Sequence, residues 1–191
     1  MEILIGGMGV IVICSVIVFI ALIAIVAYFY NKFVTLRNKV ENAWAQIDVQ
    51  LKKRFDLIPN LVETVKGYAK HEKGIFEEVA RMRSAVSNAK NREEYVEANN
   101  QLTSTLKTLF AVAENYPNLK ANENFMQLQG ELSNIEGKIA YSRQFYNDTV
   151  FMFNTDIQKF PAVLFAKILG FKEQVYFKAT EEEKKNVKVS F

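Results

Sequence analysis

The first thirty residues are dominated by one apolar run. No charged residue lies between Ile3 and Asn31, and Val10 to Tyr30 is almost wholly apolar. A membrane-crossing helix takes roughly 20 such residues, so the run predicts a transmembrane helix with some tilt. Tyr28, Phe29 and Tyr30 close it, where aromatic side chains favour the membrane interface. Beyond it, Val40, Trp44, Ile47, Leu51, Ile58, Leu61, Val65 and Tyr68 recur at alternating steps of four and three. That is one apolar helix face of heptad period. Arg54 holds the stripe position that lacks an apolar residue. The phase survives Pro59, which predicts a kinked rather than a broken helix, on the order of 100 Å long if it runs from the membrane to Lys70.

Gly67 and Gly74 bracket a turn at His71–Gly74. Phe76, Val79, Met82 or Arg83, and Val86 then mark a shorter amphipathic helix. The polar stretch Asn88–Arg92 reads as a break. Tyr95, Leu102, Leu106, Leu109, Phe110, Ala113 and Tyr116 mark a third helix, stopped by Pro117. A fourth segment, about Lys120 to Lys159, carries Phe125, Leu132, Ile139, Tyr146, Phe153 and Phe160 one heptad apart. Leu128 and Ile135, then Ser142, Thr149 and Asp156, occupy its second seam. Such a repeat packs against other long helices. Its aromatic residues Tyr141, Phe145, Tyr146, Phe151, Phe153 and Phe160 are read as core. Three roles stay open for the apolar segment Phe160–Phe171: closing the bundle, dipping into a membrane surface, or meeting a neighbouring subunit.

The pattern therefore predicts an all-α protein: a single N-terminal transmembrane helix followed by an elongated antiparallel bundle of long helices. It divides into an anchor over 1–31, a helical bundle over 32–178 and a charged tail over 179–191, the tail mobile or at most a short strand.

Composition agrees with a folded bundle. Half of the 191 residues are hydrophobic and 24% are charged, which argues against disorder. The net charge of +3 gives no reason to expect nucleic acid. Lys32, Arg37, Lys39, Lys52, Lys53 and Arg54 follow the apolar run and no Lys or Arg precedes it. The positive-inside rule then places the N-terminus outside and the bulk of the chain in the cytoplasm. A cleaved signal peptide is disfavoured by the missing basic n-region and the absence of a small-x-small cleavage site. Ile13 before Cys14 does not fit lipoprotein processing. Cys14, the single cysteine, makes no intrachain disulfide and is read as a buried structural residue.

Candidate chemistry is sparse. His71 is the single histidine, so neither a zinc pair nor a di-iron bundle with two Glu-x-x-His motifs is available. There is no Gly-rich phosphate loop and no G-x-S-x-G. Glu77-Glu78 and Glu93-Glu94 read as solvated helix faces. No cofactor, no metal site and no catalytic site are expected. Lys52-Lys53-Arg54 reads as a solvated, salt-bridging face unless the helix bends back to acidic lipid.

Several segments carry a resemblance. The stretch from Asn42 through Trp44, Gln50 and Pro59 to Tyr68 resembles the signature of the LemA family. So do Ala113–Phe125 around Tyr116-Pro117, Leu128–Leu132, Arg143–Asp148, Phe160-Pro161 and Gly170-Phe171. The match covers nearly the whole chain in order. It implies a bacterial membrane-anchored protein with a bundle of long helices, and it brings no established catalytic residues. The resemblance extends to a magnetosome-associated protein, implying a part in membrane organisation. Family genes beside a membrane metalloprotease gene imply envelope quality control.

Among the matching residues, Asp48, Arg54, Asp56 and Asn60 recur at helical spacing. Two readings stand. They form a polar network at a helix seam, answered by Arg143, Asn147 and Asn154, or they are solvated surface with one or two cross-helix bonds. The functional expectation is a scaffold held in membrane lipid through residues 3–31, self-associating as a homo-oligomer. The alternative is an adaptor or regulator of a membrane protease or another envelope enzyme.

Overall fold

The computed structural model describes residues 2–177, with side chains from residue 13 onward. The charged tail expected at 179–191 lies outside the described residues. Six helices follow in order: α1 (Glu2–Tyr68), α2 (Lys73–Asn88), α3 (Arg92–Ala113), α4 (Pro117–Lys120), α5 (Glu123–Gln158) and α6 (Ala162–Ile168). No strand occurs among the described residues. The long α1 runs unbroken through Pro59, as the surviving apolar phase predicts. The residues form two compact units, whose boundaries fall inside α1 and α5 at 44/45 and 143/144.

The unit built from residues 45–143 is an up-down-up-down packing of α1, α2, α3 and α5. Its pairings fix the directions. Arg83 lies over the Phe55 ring and Lys66 over Phe76, so α2 runs antiparallel to α1. Arg54 meets Asn99 and Glu136, and Tyr68 meets Asn122, so α3 returns parallel to α1 and α5 antiparallel. Ile58, Leu61, Val65, Phe76, Val79, Met82, Leu102, Leu106, Leu109, Phe125 and Leu132 fill the core. Each comes from the i, i+3, i+4 stripe of its own helix, which is why periodicity found them.

Capping sets the ends. The Asn91 side chain accepts from the Glu94 amide at 2.8 Å and donates to the Glu94 carboxylate at 2.9 Å. This cap starts α3 and satisfies the Glu94 amide, which the first turn leaves unpaired. Asn122 accepts from the Phe125 amide at 3.0 Å and does the same for α5. Pro117 occupies the first turn of α4, where its missing N–H costs nothing.

The other unit comprises residues up to Trp44 together with 144–177. Here α1 and α5 pack antiparallel. Lys32 pairs with Asp156 at 3.2 Å near one end, and Trp44 meets Tyr146 edge to face at the other. Phe33, Val40, Ala43, Tyr146, Val150, Phe153 and Ile157 are buried between them. A cis Phe160–Pro161 bond precedes α6. Gly170 then ends α6 with φ +75°. The Phe171 amide bonds the Ala166 carbonyl and the Gly170 amide the Lys167 carbonyl, the paired bonds of a Schellman stop. A side chain at Gly170 would be strained in that left-handed conformation. Residues 171–177 continue without regular secondary structure.

Three expectations are corrected. Of the aromatic residues in the fourth segment, Tyr146 and Phe153 are buried, but Tyr141, Phe145, Phe151 and Phe160 are exposed. Phe160 leaves the heptad because α5 ends at Gln158. The others lie off the packed face, where the aromatic composition does not follow the period. Cys14 is exposed, not buried against protein. Neighbouring Ile13, Val16, Ile17, Phe19, Ile20 and Ile23 are exposed likewise.

Candidate functional site

The most unusual side chain in the 45–143 unit is Arg54. It is fully buried, where an unpaired charge would be very costly. Leu51 and Ile58 hold the adjoining stripe positions, so α1 packing forces position 54 inward. Four hydrogen bonds occupy its two terminal nitrogens. One nitrogen donates to Thr103 Oγ1 and, at 2.8 Å, to Glu136 Oε1. The other donates to the Asn99 carbonyl at 3.1 Å and to Asn99 Oδ1 at 2.9 Å. One guanidinium thus ties α1 to α3 and α5. Asn99 is oriented in turn by donating to the Tyr95 carbonyl at 2.8 Å. The Tyr95 hydroxyl interacts with the Asp48 carboxylate of α1.

The physical origin of this cluster is a coincidence of gaps. Arg54 interrupts the apolar stripe of α1. Asn99 interrupts the stripe Tyr95, Leu102, Leu106, Leu109 of α3 and is itself buried. The two interruptions face each other, and a pair of buried polar side chains is stable only where they meet. A one-turn slip of α3 would set Arg54 and Asn99 against the large side chains of neighbouring stripe positions and leave both without these partners.

Partial burial and the Asp48 carboxylate push the Tyr95 hydroxyl up to about 12 from 10.0. The folded state holds the proton more tightly than the unfolded chain. That contribution to stability is complete below pH 10.0 and is lost as pH rises towards about 12. Thermal melts between these pH values should fall more steeply for the native chain than for Tyr95→Phe, after the background loss from other groups is subtracted. Parallel pH profiles for the two proteins would show that Tyr95 is not held this way.

The sequence-derived set does not form one seam. Asp48 and Arg54 join the network through Tyr95 and Asn99. Asp56 is exposed and pairs with Lys52 at 3.3 Å on the same helix. Asn60 is exposed, and its backbone carbonyl accepts from Thr64. Arg143 donates to Asn100 Oδ1 at 3.0 Å. Arg54 also leaves the solvated Lys52-Lys53-Arg54 face expected for it, because its heptad phase outranks its charge. Tyr95, Asn99, Thr103 and Glu136 were missed. Asn99 at a stripe position of α3 was the available signal.

Asn147 and Asn154 do something different, within the other unit. Asn147 Oδ1 accepts from the Phe177 amide at 2.8 Å while its Nδ2 donates to the Phe177 carbonyl at 3.0 Å. Asn154 treats Gln174 in the same way, at 2.8 and 2.9 Å. Each side-chain amide plays the part of a neighbouring β-strand residue, taking both backbone groups of one partner. The spacing makes this work. Seven helical residues rise about 10 Å, and three extended residues span about 10 Å. Segment 171–177 thus lies antiparallel along α5 with its polar backbone groups met at two rungs. Tyr146 adds a third contact, donating to the Val175 carbonyl at 2.9 Å. Trp44 covers the end, its ring stacked at 6.3 Å from Phe177.

Neither arrangement presents a reacting group. Among the described residues no cluster of His, Cys, Asp or Glu could hold a metal ion. A shallow groove of about 400 Å³ is lined by Gln50, Asn134, Gly137, Lys138, Tyr141 and Ser142. It has a single cation and no base poised beside a nucleophile.

Comparison with known proteins places the chain. The LemA family profile matches residues 43–191, which includes the Arg54 and Asn99 network and both asparagine rungs. The chain belongs to the LemA family. It is 27% identical to Protein LemA of Metamycoplasma hominis, over 84% of this chain and 74% of that protein. It is 26% identical to Magnetosome protein MamQ 2 of Paramagnetospirillum magneticum, over 90% of this chain and 73% of that protein. Magnetosome protein MamQ of Magnetospirillum gryphiswaldense is 24% identical, over 85% and 70%.

Among the described residues α1 alone is long and apolar enough to cross a membrane, with a window of mean hydropathy 2.7 and none of it buried by protein. An exposed apolar run of this length meets what a membrane-crossing helix requires. This LemA family member is a membrane-associated helical protein.

Proposed function

We propose that this chain is a scaffold of the bacterial cell membrane that self-associates through its helices and organises the envelope around it. In this reading the N-terminus lies outside and the helical domain in the cytoplasm, as the cations Lys32, Arg37 and Lys39 after the anchor favour. One observation carries self-association. Within the unit that holds the anchor, Phe145 and Met152 stand a heptad apart on one face of α5 with Phe151 beside them, all three exposed. The packed face of α5 is already filled, and these three side chains stay more than a third open outside it. A second copy meets them without either copy leaving the membrane, because a closed symmetric ring keeps every anchor parallel. The relatives named as magnetosome proteins support a place in membrane organisation.

Light scattering on the full chain in mild detergent tests this. The expected result is a defined oligomer that dissociates in the Phe145→Glu, Met152→Glu double variant while its circular dichroism stays helical. A strictly monomeric native particle defeats self-association. Crosslinking in cells that captures a single heterologous envelope protein, with no self-contacts, replaces the scaffold by the adaptor reading.

A further inference from the structure

The sequence left the role of the segment after α5 open, and its surroundings now assign one. Phe165 of α6 stacks on Phe29, ring centroids 4.7 Å apart and planes 14° from parallel. Phe171 sits edge to face with Phe33 at 5.2 Å and with Tyr30 at 6.2 Å. The Arg37 guanidinium lies 5.5 Å from the Phe171 ring centre. These contacts lock α6 beside residues 29–37 of α1. Phe29 belongs to the aromatic group Tyr28–Tyr30 that ends the apolar run, directly before the first cation, Lys32. Aromatic rings in that position settle at the headgroup level of a bilayer. The depth of α6 is therefore fixed by the anchor.

The two faces of α6 differ. Ala162 and Ala166 are buried, and their small size lets α6 sit close to its neighbours. The opposite side carries Leu164 at 53% and Ile168 at 82% exposure, four residues apart, and Phe160, just ahead of the helix, is 82% exposed as well. Large apolar side chains this open to water are unfavourable unless something covers them. Lys159, Lys167 and Lys172 are exposed around this edge. Lys159 shares Asp156 with Lys32, and Glu173 accepts from Gln158, so both nearby carboxylates are engaged. An apolar edge with cations around it is the composition of a segment lying in a lipid interface.

We infer that Phe160, Leu164 and Ile168 dip into the lipid interface beside the point where α1 leaves the bilayer, forming a second membrane contact of the chain. The occupant is lipid because the exposed edge continues the surface of the anchor at the same depth. Lys167 and Lys172 reach outward to headgroup phosphates while their stems lie along the apolar edge. The contact restrains how the anchor tilts and rotates, since α6 is fastened to it by the Phe29–Phe165 stack. The inference rests on membrane anchorage and is independent of self-association.

Spin labels on the full chain in nanodiscs of phosphatidylcholine with phosphatidylglycerol test it. In a Cys14→Ala background, single labels go at Ile168→Cys and, separately, Leu164→Cys. Val26→Cys provides the lipid standard and Lys39→Cys the water standard on α1 itself. The expected result is that labels at 164 and 168 collide several-fold more with oxygen than with a water-soluble nickel complex, relative to the Lys39 label. Labels that read like Lys39 overturn the inference. So do labels shielded from both reagents, which would mean that protein, such as a second copy, covers the edge. Each labelled chain must keep the native circular dichroism, and two sites guard against one misfolded variant. A Val26 label reading as water would instead remove the anchorage itself, a separate failure.

Discussion

Arg54→Met lowers the unfolding free energy by about 3–5 kcal/mol, the usual cost of breaking a buried charged cluster by removing one partner. For a chain of this size that corresponds to a fall in melting temperature on the order of 10 °C. Methionine fills much of the same volume, so the loss is mainly polar. Asn99, buried and stripped of its donor, keeps a carbonyl oxygen that no water reaches. Its desolvation is then uncompensated. Glu136 suffers less, since its side chain is more than a third exposed and turns to solvent. Adding Asn99→Leu to Arg54→Met removes the orphaned amide and is expected to recover at least half of the loss. Circular dichroism melts of the three proteins in one detergent give the answer. A single variant within about 1 kcal/mol of the native chain would show that the four hydrogen bonds of Arg54 merely balance its desolvation.

Removing both rungs, with Asn147→Ala and Asn154→Ala together, frees segment 171–177 from α5 and leaves the helices folded. Four hydrogen bonds disappear, and the amides and carbonyls of Gln174 and Phe177 lose their partners. Discounting for backbone groups that water can reach once the segment lifts, the local loss is about 2–4 kcal/mol. Exchange of amide hydrogens in 171–177 should then accelerate about thirty- to a thousand-fold. Exchange in the core of α5 should change far less. Asn147→Asp with Asn154→Asp separates the two bonds of each rung. It keeps an acceptor for the amide but sets a carboxylate against the carbonyl, so exchange should rise here too. Unchanged exchange in 171–177 for the alanine pair would mean that Trp44, Tyr146 and the Phe177 ring hold the segment without the amides.

The helices were legible because their signals are local. The Val40–Tyr68 stripe and the Phe125–Phe153 heptads name core positions, and those positions are buried except Trp44, which is half-buried, and Tyr68, which is exposed. The break at Asn88–Arg92 follows from a polar stretch that ends in the Asn91 cap. Arg54 was visible as an interruption, but what answers it was not. The interruption on α3, Asn99, lies 45 positions away. Periodicity within one helix says nothing about which helix it will face. Arg143, Asn147 and Asn154 were grouped with Arg54 because all lie at helical spacing on α5. The structure gives Arg143 to Asn100 and the two asparagines to an extended segment. That segment has no periodic signature, since its pairing partner is a set of side chains and not another strand.

By itself the sequence determined the anchor, the all-helical class, the turn positions and most of the buried residues. These follow from free energies that depend on one residue and its near neighbours: transfer of apolar side chains, capping and the backbone limits of proline and glycine. Tertiary structure alone decided that Arg54 is buried with both terminal nitrogens bonded, that two asparagines hold a strand-like return, and that α6 lies beside the end of the membrane helix. Each of those depends on groups distant in the chain meeting within about 3 Å for the hydrogen bonds, or in close van der Waals contact for the stacked rings. A hydrogen bond or a stacked ring gains nothing until the whole chain has brought both partners into place.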